Sequence, residues 1–454
     1  MAHSAGSRRS KFRFSAESVR ASMWFWPFVS ALVSLAVALV LIAFPTERES
    51  FWPMLAWPGD AAGALALLQT VATSTMAATT LTFSVTVVAL QLSSQQFSPR
   101  LLRQFARDPF TQTLLALLVS TFVVALTGFR GVREDQPLPV LLLALTSLLG
   151  ICSIVGLLAF TGHIVRSLRV ETMMVSVRDE TVAIIQQTYP EIGEPDGLPD
   201  PSFGPAGSGA LLFSARSGFL LDVKIDALVA AGREYRVTCQ LLVRPGDHIV
   251  SGTPLAEVWT EEGAPAAMDD ALCGALQETL ELGYERTAEQ DVALGFRQLA
   301  DIATKAISPG INDPITAAHA IGYCADLFVR LQPRRLGPQR HDDEDGRGRL
   351  IFPDRDLRYY LDLVCVPMRR YGCEDPTVLS ALLRMLRDVA ASAQLDDQRH
   401  ELSRQVDLIV GEVTEERLGA DAERVLEMAQ HARAVLAGDL RGGFTDRAGE
   451  SRSA

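Results

Sequence analysis

Uncharged polar side chains recur through, and just beyond, an apolar stretch of this chain at residues 62–92. The intervals between them are built from three and four residues, so a helix would place them on a single stripe. This stripe consists of Gln69, Thr73, Thr80, Ser84, Gln91 and Gln95. Hydroxyl and amide groups can line a path for ions or small solutes, and they can equally hydrogen-bond to a neighbouring helix.

A second polar stripe lies roughly opposite the first and consists of Thr75, Thr79, Thr82 and Thr86. With polar atoms on both sides, the helix is not expected to face lipid over much of its circumference. A central packing helix and a helix that lines a pore in an oligomer both explain this pattern. Residues 62–92 contain no Asp, Glu, Lys or Arg. Such residues usually mark proton relays and ion-coupled transport, so the pattern favours a passive channel over a proton-coupled pump.

A further group of polar residues surrounds the sequence SPGINDP at 308–314. Its members are Arg297, Asp301, Lys305, Asn312 and Asp313. The first three repeat every four residues and therefore share one helix face, and the last two can cap the helix that starts at Pro314. These residues form either an ordinary ion-paired helix with a well-capped break or a ligand or subunit contact at the loop.

Several chemical functions find no support in the sequence. The seven His residues are scattered, without metal-ligand spacing to Cys or carboxylate residues. P-loop, dinucleotide-binding and hydrolase motifs are absent from the sequence. The net charge is −12 and the negative charge is concentrated after the apolar region, whereas a nucleic-acid-binding surface is basic. We therefore expect no metal, no cofactor, no nucleic-acid partner and no enzymatic activity.

The elements that position these residues begin with four apolar segments. Each is long enough for a helix to cross the hydrocarbon core of a membrane. They are residues 25–44, 62–92, 113–129 and 138–164. Basic residues concentrate in the N-terminal tail, between the second and third segments, and after the fourth. Lys and Arg are retained on the cytoplasmic side, so both termini are expected to be cytoplasmic.

The rest of the 454-residue chain is expected to lie in the cytosol. The predicted fold is a membrane α-helical bundle of four transmembrane helices, followed by a small cytosolic β module and a cytosolic, mainly α domain. We predict an N-terminal tail (1–22), a transmembrane domain (23–167), a helical stalk (168–189), a Pro- and Gly-rich linker (190–209), the β module (210–262), the helical domain (268–440) and a loose tail (441–454). Residues 333–356 contain HDDEDGRGR and are predicted to form an exposed or disordered loop.

Four features of the sequence are similar to an uncharacterised family of bacterial predicted membrane proteins, a domain of unknown function. They are the polar second segment ending VVALQLSSQQFSPRLLRQF, an RPGD hairpin at 244–247, the block EQDVALGFRQLADIATKAISPGINDPITA at 289–317, and the order of the segments. The resemblance covers roughly residues 15–440. It implies a multi-pass protein of the bacterial inner membrane, and it implies no catalytic residues.

The sequence as a whole predicts an oligomeric, channel-like protein. Residues 62–92 would line the path, and the cytosolic part would assemble or gate the oligomer. The expected partners are membrane lipid, further copies of the chain, and ions or small solutes. The alternative is a non-conducting, membrane-anchored scaffold or sensor whose cytosolic domain binds a ligand or a protein near Arg297, Asp301, Asn312 and Asp313.

Overall fold

The computed structural model of the protein describes seven stretches of the chain. They are residues 25–43, 60–96, 108–133, 138–167, 169–192, 207–287 and 290–445, with the side chains of 92–96 excluded. The predicted N-terminal tail, most of the predicted linker and most of the predicted C-terminal tail lie outside them. The chain divides into two compact units, Met1–Thr172 and Met173–Ala454.

The N-terminal unit contains four helices that are long and apolar enough to cross a membrane, as the sequence predicted. Their bounds are α1 Phe25–Ala43, α2 Ala61–Gln96, α3 Pro109–Gly128 and α4 Val140–Ser167. Helix α3 packs against each of the other three. Gly128 at its end lies so close to α2 and α4 that an added Cβ would come within 2.7 Å of Leu142 and 3.0 Å of Leu68.

One polar cluster fixes the start of α3. The carboxylate of Asp108 accepts hydrogen bonds from the backbone amides of Phe110 at 3.3 Å and Thr111 at 3.1 Å. An acceptor at this position satisfies amides that have no partner within the helix. Nε2 of His163 on α4 lies 2.9 Å from the same carboxylate, and its ring stacks on that of Phe110. The cluster therefore joins the start of α3 to α4.

The C-terminal unit contains two sheets. The first has the order β1-β5-β3-β8-β7 and the second has the order β4-β2-β6. The strands are β1 Ala210–Phe213, β2 Gly218–Val223, β3 Val237–Leu241, β4 His248–Ile249, β5 Pro254–Thr260, β6 Leu280–Gly283, β7 Gln339–Asp342 and β8 Gly348–Phe352. Most pairs are antiparallel, but β3 and β8 run parallel. Alternating buried residues of these strands, such as Leu241 and Leu350, form one core.

The helices of this unit bury a second set of apolar side chains against one another. They are α5 Val170–Thr188, α6 Ile225–Glu234, α7 Asp270–Glu278, α8 Val292–Ala306, α9 Pro314–Leu331, α10 Leu357–Gly372, α11 Pro376–Ala390, α12 Asp396–Val410, α13 Glu415–Leu418, α14 Ala422–Leu436 and α15 Leu440–Gly443. Aromatic rings of Phe296, Phe328 and Tyr360 meet at the centre of α8, α9 and α10. Four apolar helices are therefore followed by a mixed sheet and further helices, as the predicted fold class states, and β6, β7 and β8 lie within the range predicted as the helical domain.

The charged stretch at 333–356 is not a disordered loop, and this prediction was wrong. It contains β7 and β8. Nε of Arg349 lies 2.6 Å from Asp343, and both side chains are almost fully buried. Asp343 also accepts hydrogen bonds from the backbone amides of Asp345 and Arg347, each at 3.0 Å. The charged residues that predicted an exposed loop instead form ion pairs and hydrogen bonds within the hairpin of β7 and β8.

The segment predicted as a stalk forms α5 and buries one face. Met174, Val177, Thr181 and Ile185 are among its buried residues. Thr181 lies against Gly295 of α8, where any Cβ would collide with its side chain. The helix is therefore packed into the C-terminal unit from Met173 onward.

Candidate functional site

The first polar stripe of α2 lies on the outer surface of the four-helix unit. Gln69, Thr73, Thr80, Ser84 and Gln91 are all exposed. The side chain of Gln95 lies outside the described residues. The hydroxyl of Thr80 donates to the backbone carbonyl of Met76 at 3.1 Å, within its own helix. The stripe is therefore not used to pack these four helices against one another.

The second polar stripe is largely buried inside the four-helix unit. Thr75, Thr82 and Thr86 are 5%, 0% and 5% exposed. Their hydroxyls donate to carbonyls one turn earlier in α2: Thr75 to Val71 at 2.7 Å, Thr82 to Ala78 at 2.8 Å and Thr86 to Thr82 at 2.8 Å. Such internal hydrogen bonds satisfy a hydroxyl where no water is present. The packing interpretation therefore describes this stripe well, and it leaves the first stripe unexplained.

The borders of the first stripe are large and apolar. Leu65 and Phe83 lie along one side of it and Leu81 and Val88 along the other, and each is between 37% and 55% exposed. Exposed alanines, Ala62, Ala66 and Ala77, fall within the stripe itself. The outer face of α2 is thus a strip of small and polar residues with large apolar side chains on either side, and the exposed Thr70 and Ser74 lie on the side of Leu81 and Val88. Small residues of this kind let a second helix approach closely.

The polar strip is about as long as a membrane is thick. Gln69 and Gln91 are 22 positions apart in the sequence, which is about 33 Å along a helix axis at ~1.5 Å per residue. The hydrocarbon core measures about 30 Å. Moving an amide or hydroxyl from water to hydrocarbon costs about 4–8 kcal/mol if no hydrogen bond replaces those lost. This transfer free energy is smaller for Thr80, because its hydroxyl donates a hydrogen bond within its own helix. It is larger for the side-chain amides of the glutamines, which have more hydrogen-bonding groups to satisfy.

The second predicted group lies at the break between α8 and α9. Asp313 is the N-cap of α9: its carboxylate accepts hydrogen bonds from the backbone amide of Thr316 at 3.1 Å and from its hydroxyl at 2.6 Å. These hydrogen bonds from Thr316 lower the pKa of the Asp313 carboxyl. Asn312, at φ 52, is exposed, as is Lys305. Arg297 and Asp301 are half-buried on α8.

The capping that the sequence allowed for Asp313 is therefore present. Both carboxylate oxygens accept hydrogen bonds from Thr316, so capping accounts for the presence of an acidic residue at this position. A ligand or subunit contact at this loop stays a prediction. The exposed side chains of Ile311 and Ile315, at 44% and 51%, are the apolar part of that surface.

Sequence reasoning missed a second polar region, in the C-terminal unit. Asp222 on β2, Gln339 on β7 and Asp354 after β8 line one enclosed cavity. These residues are up to 132 positions apart, and they meet because β2 of the second sheet comes close to β7 and the end of β8 of the first sheet. No local spacing in the sequence could have indicated this. Asp354 follows a stretch that the sequence predicted to be an exposed or disordered loop, so its carboxyl was not recognised as part of a site.

Comparison with known proteins gives the following matches. The family described as "Predicted membrane protein (DUF2254)" matches residues 20–388. Uncharacterized proteins of Mycobacterium bovis and Mycobacterium tuberculosis are 30% identical to this chain over 424 residues. Each alignment covers 92% of this chain and 81% of the relative. No solved structure matches the chain significantly.

Proposed function

The chain belongs to the DUF2254 family of predicted membrane proteins, and from the geometry of α2 we propose that it is one subunit of a homo-oligomeric permeation path. The path is passive, and ions or small solutes move along it. The polar strip of α2, from Gln69 to Gln91, faces that path. The C-terminal unit assembles or gates the oligomer, and the protein is not an enzyme.

The single observation that carries this proposal is the exposure of the first polar stripe. A helix with the length and hydropathy of a membrane span presents amides and hydroxyls on its outside. Lipid cannot hydrogen-bond to these groups, so this face is matched to water or to another polar surface. Large apolar side chains lie on both sides of the strip, and the exposed Thr70 and Ser74 extend the polar surface beside Leu81. A water-lined seam between copies of α2 satisfies this requirement for a polar surface.

The chemistry of the strip fits passive permeation. The described side chains on it are neutral amides and hydroxyls, and α2 carries no ionisable residue. Neutral groups that both donate and accept hydrogen bonds can replace part of the hydration shell of a solute without trapping it. A pump driven by protons would need a titratable group along the path.

Two further points are part of the proposal. We place the protein in the inner membrane of a bacterium, with both termini in the cytoplasm. The placement rests on the basic residues that flank the spans, since Lys and Arg are retained on the cytoplasmic side. The C-terminal unit then lies in the cytosol, where it can meet soluble ligands.

A membrane-anchored sensor or scaffold is the second candidate. The observation that favours it is the enclosed polar cavity of the C-terminal unit, of about 300 Å³, because a cavity with few convergent polar groups is a common form of ligand site. In that case the exposed strip of α2 would be a dry contact between copies. Flux across the membrane separates the two candidates.

The experiment is solute flux through purified full-length protein in liposomes, with Thr80→Trp as the blocking variant. Thr80 is exposed and lies midway along the strip. An indole there fills a narrow path, and because Thr80 is exposed it does not have to displace a buried side chain of the four-helix unit. We expect wild-type flux that the variant reduces at least tenfold, with an unchanged oligomer.

The matched control is Leu81→Trp. Leu81 is the next residue, is 55% exposed, and lies on the apolar margin. The same added volume should leave flux within about twofold of the wild type, because this side chain points to lipid. Absence of flux from folded wild-type protein, or equal effects of the two substitutions, would reject the path and favour the sensor.

A further inference from the structure

The C-terminal unit contains an enclosed cavity at the start of α6. Its volume is about 300 Å³. The floor is formed by Gln339, Phe352 and Asp354, and the mouth by Gln187 and Asp222. A wider cavity of about 820 Å³ shares Gln187, Asp222 and Gln339 with it and provides access. Cavities of this size hold small molecules.

The charge inside this cavity is one-sided. Among the described residues that line it, the charged side chains are the two carboxyls Asp222 and Asp354. Burial raises the pKa of the Asp354 carboxyl, and hydrogen bonds from the Arg355 backbone amide and from Tyr189 oppose that rise. Burial also raises the pKa of Asp222, against the nearby charge of Lys224. Two carboxyls therefore lie in a poorly solvated space.

The guanidinium nearest to Asp354 does not neutralise it fully. Nη1 of Arg355 is 4.0 Å from Asp354 and 3.6 Å from Asp291. Nη2 of Arg355 donates to the backbone carbonyl of Pro245 at 2.8 Å. Arg355 is thus directed toward Asp291 and the RPGD turn, behind the cavity wall. The carboxyl of Asp354, with its side chain 5% exposed, keeps acceptor capacity toward the cavity.

A third polar group on the floor is unused. Gln339 is 6% exposed, and within the described parts of the chain its side-chain amide has no hydrogen-bond partner. Its amide atoms are not among the fully buried side-chain atoms that lack a partner, so solvent in the cavity reaches them and a ligand can bind them. Gln339 lines both cavities. The floor therefore offers an amide beside a carboxyl, with Phe352 and Pro245 as apolar walls.

We propose that this cavity binds a short aliphatic diamine. An ammonium group donates three hydrogen bonds and carries the charge that a buried carboxylate lacks. Asp354 and Gln339 receive one ammonium group, Asp222 receives the other, and the alkyl chain contacts Phe352, Pro245 and Ile225. A divalent metal is a poorer match, since no group of three or more His, Cys, Asp or Glu suited to a metal occurs among the described residues.

The test is calorimetric titration of the purified full-length protein with 1,4-diaminobutane. We expect saturable binding, with Asp354→Asn and Asp222→Asn each weakening it at least tenfold. Asp222 is half-buried at the mouth, so its variant remains informative if Asp354→Asn does not fold. The matched control is Asp226→Asn. Asp226 lines the wider cavity but not the enclosed one, and its variant should bind within about twofold of the wild type.

Two other probes define the ligand class. The neutral analogue 1,4-butanediol should not bind, and butylamine, with one ammonium group, should bind at least tenfold more weakly than the diamine. Absence of saturable diamine binding, equal binding of the diol or the monoamine, or unchanged affinity in both carboxamide variants would overturn the proposal. The titration needs no flux, so it stands or falls independently of the permeation path.

Discussion

The guanidinium of Arg355 lies 3.6 Å from the carboxylate of Asp291, and the two side chains are 3% and 0% exposed. Asp291 immediately precedes α8, and its carboxylate also pairs with Arg286. Arg355 donates to the carbonyl of Pro245 in the RPGD turn at 2.8 Å. Two sequence motifs that carry the family resemblance, the RPGD hairpin and the block that leads into α8, are thus joined through one buried arginine.

Arg355→Met should therefore destabilise the C-terminal unit strongly. Removing one partner of a buried ion pair typically costs about 3–5 kcal/mol, because the remaining charge is left without compensation. Asp291 retains Arg286, so we expect the lower end of that range. Thermal unfolding of the full-length protein in detergent measures it. A melting temperature equal to that of the wild type would show that the pair does not hold the two motifs together.

Thr82→Trp should disrupt the four-helix unit, unlike Thr80→Trp. Thr82 is 0% exposed and packs inside the unit, and overfilling a well-packed interior costs about 1–3 kcal/mol or more. Size-exclusion chromatography in detergent should show aggregated or monomeric Thr82→Trp beside native Thr80→Trp. If both variants eluted like the wild type, the assignment of the two stripes to different environments would be wrong.

Asp313→Ala should cost about 1 kcal/mol, the usual effect of losing an N-cap. The pKa of this carboxyl is lowered by its hydrogen bonds with Thr316. A lowered pKa in the folded state stabilises the protein above the ordinary value of 3.8, and that stabilisation is lost as the pH falls through the folded value. The difference in unfolding free energy between wild type and variant should therefore shrink below about pH 4.

Asp375→Ala is the matched control for this measurement. Asp375 caps α11 through the backbone amides of Thr377 at 2.8 Å and Val378 at 3.2 Å, far from the SPGINDP loop in the sequence. A similar loss in both variants supports capping as the role of Asp313. A loss of oligomer or of a bound molecule in Asp313→Ala alone would instead support the contact predicted at this loop.

Gly295→Ala should destabilise the packing of α5 on α8. A Cβ at position 295 would lie 2.8 Å from Cβ of Thr181, closer than such atoms come in folded proteins. We expect a loss of about 1–3 kcal/mol. Thr181→Ala removes the hydroxyl and methyl groups that crowd the same space, so the double variant should lose less than the sum of the single losses. Strict additivity in a double-mutant cycle would contradict this contact.

The sequence was a good guide where the pattern is local. The four spans and the two polar stripes of α2 follow from composition and helical spacing, and the cap at Asp313 follows from its position before Pro314. The sequence did not predict the structure correctly where charged side chains are buried. The sequence of the β7–β8 hairpin resembles that of an exposed loop. The ion pair of Arg349 with Asp343 crosses the turn of this hairpin, and Arg349 also pairs with Glu261 just after β5, which sequence spacing does not reveal.

The enclosed cavity lay beyond sequence reasoning for a different reason. Asp222, Gln339 and Asp354 come from three strands or strand ends that only the sheet topology brings together. Similarly, sequence spacing identified the first stripe of α2 but left open whether it packs or faces outward. That choice depends on which face α3 covers, which is a property of the assembled helices.

The most direct test of the permeation path is the reactivity of single cysteines on α2 with a membrane-impermeant thiol reagent. The variants are Thr80→Cys, Leu81→Cys and Thr82→Cys, in a background where the three cysteines that are not buried, Cys152, Cys273 and Cys373, are replaced by serine. A path predicts that only Thr80→Cys is labelled in the folded, membrane-embedded protein. If Thr80→Cys were as unreactive as its two neighbours, the polar strip would not face water, and the account would be contradicted.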